Sequence, residues 1–312
     1  MNIVLVGEEA AGVRALQRVT ASAHRLVRVF TSDRAAVGAG PAAAAAEHGV
    51  PTEPAERVRE PGLADELRAL PVDVLLNVHS LYLIAPEVLA APVVGAFNLH
   101  PGPLPHYAGL NAPSWAIARG ETRHAVTLHW MATGIDTGDV VEAAWFDLSE
   151  DDTGLSVSMR CAQLGLGLVD NLLGRLDTEP AVIPRHPQDL SERRYFGREV
   201  PHDGWIPWAA PAREVAGFVR ACDYRPFDSP WGTPRTRRPD GAEVEINKLA
   251  LTQQHTDQPP GRVAIDTTGD TAYVATGDRW VRLLELRVDR QFHKPTEVLH
   301  HGETVHGAAD SR

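Results

Sequence analysis

A chain of 312 residues is long enough for roughly two domains, and its 43% hydrophobic and 23% charged residues are ordinary for a soluble globular protein. The net charge of −11 works against a polyanionic partner such as a nucleic acid unless a basic patch is segregated. No apolar run approaches the ~18 residues of a membrane span, so no membrane partner is expected.

MNIVLVG carries no charged leader region and runs straight into a strand-like stretch, so no signal peptide is expected. The two cysteines, Cys161 and Cys222, form no CxxC motif, and a reducing, cytoplasmic location is the simple reading. The cations are nearly all arginine; Lys248 and Lys294 are the only lysines.

Ile3 to Gly7 is a continuous apolar run ended by glycine, the pattern of a buried parallel strand. A helical pattern follows with Val13, Leu16 and Val19 on one face. Arg25 to Thr31 reads as a second strand, Ala42 to Val50 as a helix closed by Gly49, Leu63 to Leu70 as a helix and Val72 to Val78 as a third strand. Pro86 to Ala91 is a helical turn and Gly95 to His100 a fourth strand. Strands alternating with helices argue for βαβ units in a Rossmann-like, mostly parallel sheet. Gly7 and Gly12 in VGEEAAG do not form the G-x-G-x-x-G dinucleotide pattern, and two acids stand where a pyrophosphate would lie. A plain strand-to-helix turn is expected there.

Further on, Ser114 to Arg119 predicts a helix, His124 to Met131 a half-buried strand, and Val140 to Phe146 its antiparallel neighbour. Leu155 to Leu176 is a long amphipathic helix with Val157, Met159, Cys161, Leu164, Leu168 and Leu172 near one face. The composition then turns to Pro, Arg and polar residues. The expected division is a catalytic domain over 1–180, a linker over 181–205, a smaller β-rich, OB-like domain over 206–305 and a tail over 306–312. Arg213 to Cys222 is helical, and the His-rich stretch from Gln291 is expected to fray.

Chemistry-bearing residues concentrate between Phe97 and Val140. Asn98 and His100 lie two apart at a strand end, so their side chains leave the same face. Ligand sites of open α/β sheets lie at such carboxyl ends. Pro101, Pro103 and Pro105 stiffen the loop that follows. Asp136 stands between Gly134 and Gly138, which let backbone come close. Taken singly, each has a plain structural reading: a turn asparagine, a satisfied histidine, a loop aspartate. Together they supply amide, imidazole and carboxylate, the groups that stabilise an oxyanion and move protons. His124 and His129 are five apart on a strand and face opposite ways, so a shared metal is not expected.

This stretch resembles the folate-dependent formyltransferases, a family that includes methionyl-tRNA formyltransferase, glycinamide ribonucleotide transformylase, sugar N-formyltransferases and formyltransferases of peptide-antibiotic and siderophore pathways. The shared pattern is Asn98-Leu99-His100, Leu104-Pro105, Tyr107-Ala108-Gly109, a helix from Trp115 to Gly120, Val126-Thr127 and Asp136-Thr137-Gly138, in that order. The resemblance implies catalysis by Asn98, His100 and Asp136, with 10-formyltetrahydrofolate as donor and no metal. It implies folate contacts from Tyr82, Leu83 and Ile84 before the Asn-X-His strand, with Leu104 nearby and the Gly134–Asp139 loop on the other side. The roles it implies are hydrogen bonds from Asn98 and a protonated His100 to the oxyanion, and a carboxylate, Asp136, that holds the imidazolium and takes the amine's proton.

The acceptor is read from the loop. Relatives acting on tRNA carry Ser-Leu-Leu-Pro followed by an arginine; here the loop is Pro101-Gly102-Pro103-Leu104-Pro105, and Ala108 replaces that arginine. From Pro201 to Arg312 there are 14 Lys+Arg and 16 Asp+Glu, a net of −2, and the small cluster of Arg235, Arg237 and Arg238 reads as a solvated turn rather than an RNA groove. Gly109-Leu110-Asn111 into Ser114-Trp115-Ala116 is similar to enzymes of specialised (secondary) metabolism, so the expected acceptor is an amino-acid-type amine, free or bound to a carrier protein. A sugar-nucleotide amine, methionyl-tRNA, or water in a formyltetrahydrofolate hydrolase are the alternatives. The β-rich domain is left with three roles: shaping the acceptor pocket, binding a carrier protein, or self-association as a homodimer.

Overall fold

The computed structural model of the chain describes residues 1–32, 40–178 and 182–307. Its first elements are β1 (Asn2–Gly7), α1 (Glu9–Ala21), β2 (Arg25–Thr31), α2 (Pro41–Glu47), β3 (Thr52–Pro54), α3 (Leu63–Ala69), β4 (Val74–Val78), α4 (Pro86–Leu89) and β5 (Gly95–His100). Then come β6 (Ala108–Gly109), α5 (Ala112–Ala118), β7 (Arg123–Trp130), β8 (Val140–Asp147), α6 (Gly154–Leu176) and β9 (Tyr195–Phe196). The remainder is α7 (Ala212–Ala221), β10 (Arg235–Arg237), β11 (Glu243–His255), β12 (Val263–Ile265), β13 (Ala272–Ala275), β14 (Arg279–Val288), β15 (Gln291–His293) and α8 (Pro295–Val298). Among the described residues no helix is long and apolar enough to cross a membrane.

The chain divides into two units, the first built from 1–109, 124–146 and 159–196, the second from 110–123, 147–158 and 197–312. The first holds a seven-stranded sheet in the order β3-β2-β1-β4-β5-β7-β8. Pairings from β3 through β5 are parallel, and β7 runs antiparallel to β5. β4 is buried at every residue because its run of Val and Leu is covered on both faces. The β1–α1 connection is the plain turn expected from the sequence. A Cβ on Gly12 would lie 2.8 Å from Gly7 C, so glycine there lets helix and strand meet. The Glu8 carboxylate is taken up by Ser32 N–H (2.8 Å), Ser32 Oγ (2.9 Å) and Thr31 Oγ1 (3.2 Å).

Three expectations are corrected. β7 is not half-buried: every residue from His124 to Trp130 is buried. Its polar side chains tolerate burial because each finds a carbonyl: His124 Nε2 on Pro101 O (2.9 Å), Thr127 Oγ1 on Gly102 O (2.8 Å) and His129 Nδ1 on Trp130 O (2.7 Å). On α6 the buried stripe is Val157, Cys161, Leu168, Val169, Leu172 and Leu176, while Met159 is 61% exposed, about 200° around the helix from Val157. The stretch from Gln291 does not fray. β15 pairs with β14, and Leu299 and Val305 are buried in the second unit's core, since these apolar residues have a core within reach.

The second unit is a six-stranded antiparallel sheet, β10-β11-β14-β13-β12 with β15 on β14. Its core joins Ile206, Trp208, Val215, Val219, Val244, Ile246, Leu283 and Leu286, the inward sides of α7 and the sheet. Of the segment expected as a linker, residues 182–196 belong to the first unit and 197–205 to the second. The expected boundary at 180/181 and the last five residues of the expected tail lie outside the described residues.

Candidate active site

Strand register assembles the site. On β4 and β5, Asn77 stands beside Asn98; on β5 and β7, Asn98 stands beside His129. Three polar side chains therefore line up across three neighbouring strands, at the carboxyl ends of β4 and β5. Asn77 Nδ2 donates to Asn98 Oδ1 (2.8 Å), and Asn98 Nδ2 lies 3.0 Å from His129 Nε2. A backbone carbonyl only accepts, so Trp130 O requires a proton on His129 Nδ1, and Nε2 is the nitrogen turned to Asn98.

Asp136 enters from the β7–β8 loop. Its backbone is left-handed, φ 53°, a conformation a non-glycine residue holds at a cost. The loop can close because a Cβ on Gly138 would collide with Trp130 O. The carboxylate is 9% exposed: Oδ2 accepts from Gly109 N–H (2.8 Å) and lies 3.5 Å from His100 Nδ1, while Oδ1 lies 3.4 Å from both Asn98 Nδ2 and His129 Nε2. The structure thus brings together Asn98, His100 and Asp136 as the sequence predicts.

The His100 ring is oriented by its other nitrogen: Nε2–H donates to Tyr107 O (2.6 Å), leaving Nδ1 toward Asp136. Burial lowers the His100 pKa below its ordinary 6.5, against the opposing pull of Asp136 and of the Tyr107 hydrogen bond. Burial thus favours the neutral imidazole, whose Nδ1 faces Asp136. Burial alone would raise Asp136. The neighbouring His100 and His129 imidazoles, wherever they carry a proton, and the Gly109 N–H outweigh it and hold the carboxyl well below the usual carboxylate range. Among the described residues no group of three or more His, Cys, Asp and Glu has the arrangement to hold a metal.

Residues 182–196 form a strap over two site loops. Gln188 Nε2 donates to Asp136 O (2.9 Å) and Gly138 O (2.5 Å), and Arg193 Nη2 to Ile135 O (2.9 Å). Further along, β9 pairs with β6, and Arg194 N–H donates to Pro105 O (3.2 Å), so the same strap holds the loop that carries Tyr107 and Gly109. Arg185 lies over the Trp130 ring, 3.5 Å from its centroid, and 3.4 Å from Asp139.

The remaining sequence-predicted residues are spread around this centre. Tyr82 is partly buried with Arg59 over its ring at 4.9 Å. Leu83 is 62% exposed beside an equally open Leu81, whereas the Ile84 side chain is in the core with Ala85 and Val88. Leu104 is partly buried, Gly134 exposed, and Asp139 turned to Arg185. Sequence reasoning weighed His129 only as a metal ligand and passed over Asn77 and Gln188. The findable signal was register: His129 lies opposite Asn98 as soon as β5 and β7 are paired antiparallel.

An amide donor, a buried imidazole and a carboxylate meet about one point at the strand ends of an open α/β sheet, an arrangement suited to acyl transfer. A family model described as "Formyl transferase" matches residues 1–169, and one described as "Formyl transferase, C-terminal domain" matches residues 200–299. The chain belongs to the formyltransferase family, which bears out the resemblance to folate-dependent formyltransferases, and it is a formyl-transferring enzyme.

Several solved structures share its fold. An N-formyltransferase from Helicobacter canadensis, solved with folinic acid and dTDP-3-aminofucose, is similar at 16% identity over 90% of this chain and 98% of that one, with a TM-score of 0.66. WlaRD, a sugar 3N-formyl transferase solved in the presence of dTDP and 5-N-formyl-THF, gives 15% identity, 91% and 97% coverage and a TM-score of 0.65. HypX from Aquifex aeolicus, in complex with tetrahydrofolic acid, gives 19% identity over 96% of this chain and 46% of that one, with a TM-score of 0.58.

Proposed function

We propose that the enzyme moves the formyl group of 10-formyltetrahydrofolate to the primary amine of a small molecule, and that the acceptor is an amino-sugar nucleotide. The Asn98–His100–Asp136 cluster carries the reaction. For the acceptor, the support comes from relatives of the same fold, which include sugar N-formyltransferases and an N-formyltransferase solved with dTDP-3-aminofucose. The loop from His100 to Asn111, read first as a mark of amino-acid-type acceptors, is the weaker guide, because its backbone is set by β6–β9 pairing and the strap.

Asn98 offers the formyl oxygen a donor. One Nδ2 proton serves His129, and the other faces Asp136 Oδ1 at 3.4 Å, long enough to turn to a developing oxyanion. Neutral His100, its Nε2 held by Tyr107 O, takes the proton of the attacking amine on Nδ1. Ionised Asp136 stabilises the imidazolium so formed. His100 then returns that proton to the departing folate nitrogen as the bond from formyl carbon to that nitrogen breaks. This order starts from a neutral His100 where the resemblance implies one protonated beforehand; burial, which disfavours that charge, supports the neutral start. The donor's ring system is placed against the loop from Leu81 to Ile84, where two exposed leucines, at 69% and 62%, suit an apolar ligand face. Ile84 serves there through its backbone. Leu104 and the Gly134–Asp139 loop form the opposite wall.

The test is turnover of 10-formyltetrahydrofolate, followed by absorbance of the folate product. It is run with dTDP-3-aminofucose, hydroxyornithine, an aminoacyl carrier protein, methionyl-tRNA, or no amine. Product with the amino-sugar nucleotide, and little without amine, is expected. Equal product in the absence of any amine overturns transfer in favour of hydrolysis, and product only with another amine overturns the sugar acceptor.

A further inference from the structure

We propose that Asn77, on β4, is a positioning residue that fixes the Asn98 amide with its N–H face toward the reacting oxygen. The inference rests on the reading above, that Asn98 donates to the oxyanion.

A primary amide can turn over and exchange its oxygen for its nitrogen with almost no change of shape. Turned one way, Asn98 stabilises the oxyanion; turned the other, it aims lone pairs at it. The direction is set from both ends of a hydrogen-bond chain. At one end Trp130 O accepts only, so His129 carries a proton on Nδ1, and its Nε2, 3.0 Å from Asn98 Nδ2 and 3.4 Å from Asp136 Oδ1, accepts from Asn98 in the neutral ring. At the other end Asn77 Nδ2 donates to Asn98 Oδ1 at 2.8 Å and holds the oxygen away from the site. Asn77 also reaches Ser80 O, at a long 3.5 Å.

Its surroundings argue against a purely structural role. The rest of β4 is Val74, Leu75, Leu76 and Val78, and Asn77 is 5% exposed. A buried amide in an apolar strand must recover its lost hydration through hydrogen bonds. Yet Asn77 Oδ1 is buried with no partner among the described residues, so only its donor end is used, and that end goes to Asn98. An aliphatic residue would pack the strand as well.

The test compares Asn77→Ala, Asn77→Asp and Asn98→Ala with the wild-type chain, using 10-formyltetrahydrofolate with dTDP-3-aminofucose, and separately with water as acceptor. Asn77→Ala frees the amide and should lower kcat about tenfold with KM little changed. Asn77→Asp is nearly isosteric, so a structural role predicts it to be the milder change. Here it must be the harsher one. The introduced carboxylate accepts only, turns Asn98 over, and should lower kcat about 10²–10³-fold. Its rate relative to wild type should rise as pH falls, because the protonated acid can donate to Asn98 Oδ1 again.

A readout independent of turnover is the nitrogen NMR spectrum of ¹⁵N-histidine-labelled protein. His129 is expected as the Nδ1–H tautomer in the wild type. In Asn77→Asp it gains a second proton, on Nε2, to meet the turned oxygen. Asn77→Asp faster than Asn77→Ala, or a His129 spectrum unchanged in Asn77→Asp, overturns the proposal. Asn98→Ala at the wild-type rate instead sinks the reading of the site itself.

Discussion

The two units spend their polar groups differently. In the first, Asn77, His100, Thr127 and His129 are buried, and three of them join Asn98 and Asp136 in a connected set around one carboxylate. In the second, charges pair near the surface of the sheet: Arg287 with Glu245, and Arg235 and Arg237 with Glu243, over a core of aliphatic side chains. Burying polar groups costs stability unless each is satisfied, so a buried cluster with residual openings marks where chemistry is done. Rim pairs can be exchanged with little effect. The first unit gathers its polarity in the cluster proposed to react; the second spreads it over its surface.

The largest effects that sharpen this contrast belong to the buried set. His100→Ala and Asp136→Asn should each lower kcat by about 10²–10⁴ without unfolding the chain. Asn98→Ala should cost about 10²–10³. Circular dichroism and single-turnover kinetics separate loss of chemistry from loss of fold, and near-wild-type turnover in any of the three variants would break the comparison. The pH profile carries a sign as well. In the proposed mechanism His100 acts neutral, and burial lowers its pKa from 6.5, so the acid limb of kcat/KM should fall below that value. The charge of Asp136 favours the imidazolium, so Asp136→Asn should move the limb to still lower pH. Stability follows the same direction. Below pH 6.5 the unfolded chain binds a proton that buried His100 resists, so stability falls with falling pH until the folded pKa is passed.

Much of the first unit was legible because its signals are local. A continuous apolar run specified β1, short apolar-rich runs between helical segments specified β4 and β5, and the two-residue spacing of Asn98 and His100 put both on one face. His129 was hidden because its partnership with Asn98 exists only through antiparallel register between strands thirty residues apart in sequence. The strap was hidden for a different reason. Its hold comes from Gln188 and Arg193 on backbone carbonyls, so its polar, proline-rich sequence has neither apolar period nor strand pattern. The order after Gln291 depends on Leu299 and Val305, two isolated apolar residues whose weight only a neighbouring core reveals.

Next in size is the second unit's core. Leu286→Ala, at a fully buried position, should destabilise by about 2–5 kcal/mol, seen as a lower denaturation midpoint. A loss under about 0.5 kcal/mol would contradict the packing described. Gln188→Ala is smaller and bears on the first unit. It removes two hydrogen bonds to the backbone that carries Asp136, so kcat should drop by up to about 10²-fold, through misplacement of the carboxylate, with modest change in melting temperature. Gln188→Glu should not rescue, since an ionised carboxylate cannot donate to the Asp136 and Gly138 carbonyls. Full activity in both variants would show that the loop keeps its left-handed turn unaided.

The smallest effect is expected where the second unit's charges meet. Glu245 and Arg287 are directly opposite on β11 and β14, 2.5 Å apart, each about 30% exposed. A double-mutant cycle of Glu245→Gln and Arg287→Gln should give a coupling of about 0.2–1 kcal/mol. That coupling should shrink as salt is raised toward ~1 M, because solvent-reached pairs are screened over a few ångströms. Turnover per folded molecule should not change. A salt-insensitive coupling of about 3 kcal/mol or more would mean that this pair is desolvated as the cluster around Asp136 is, and the contrast between the two units would fail at its most exposed point.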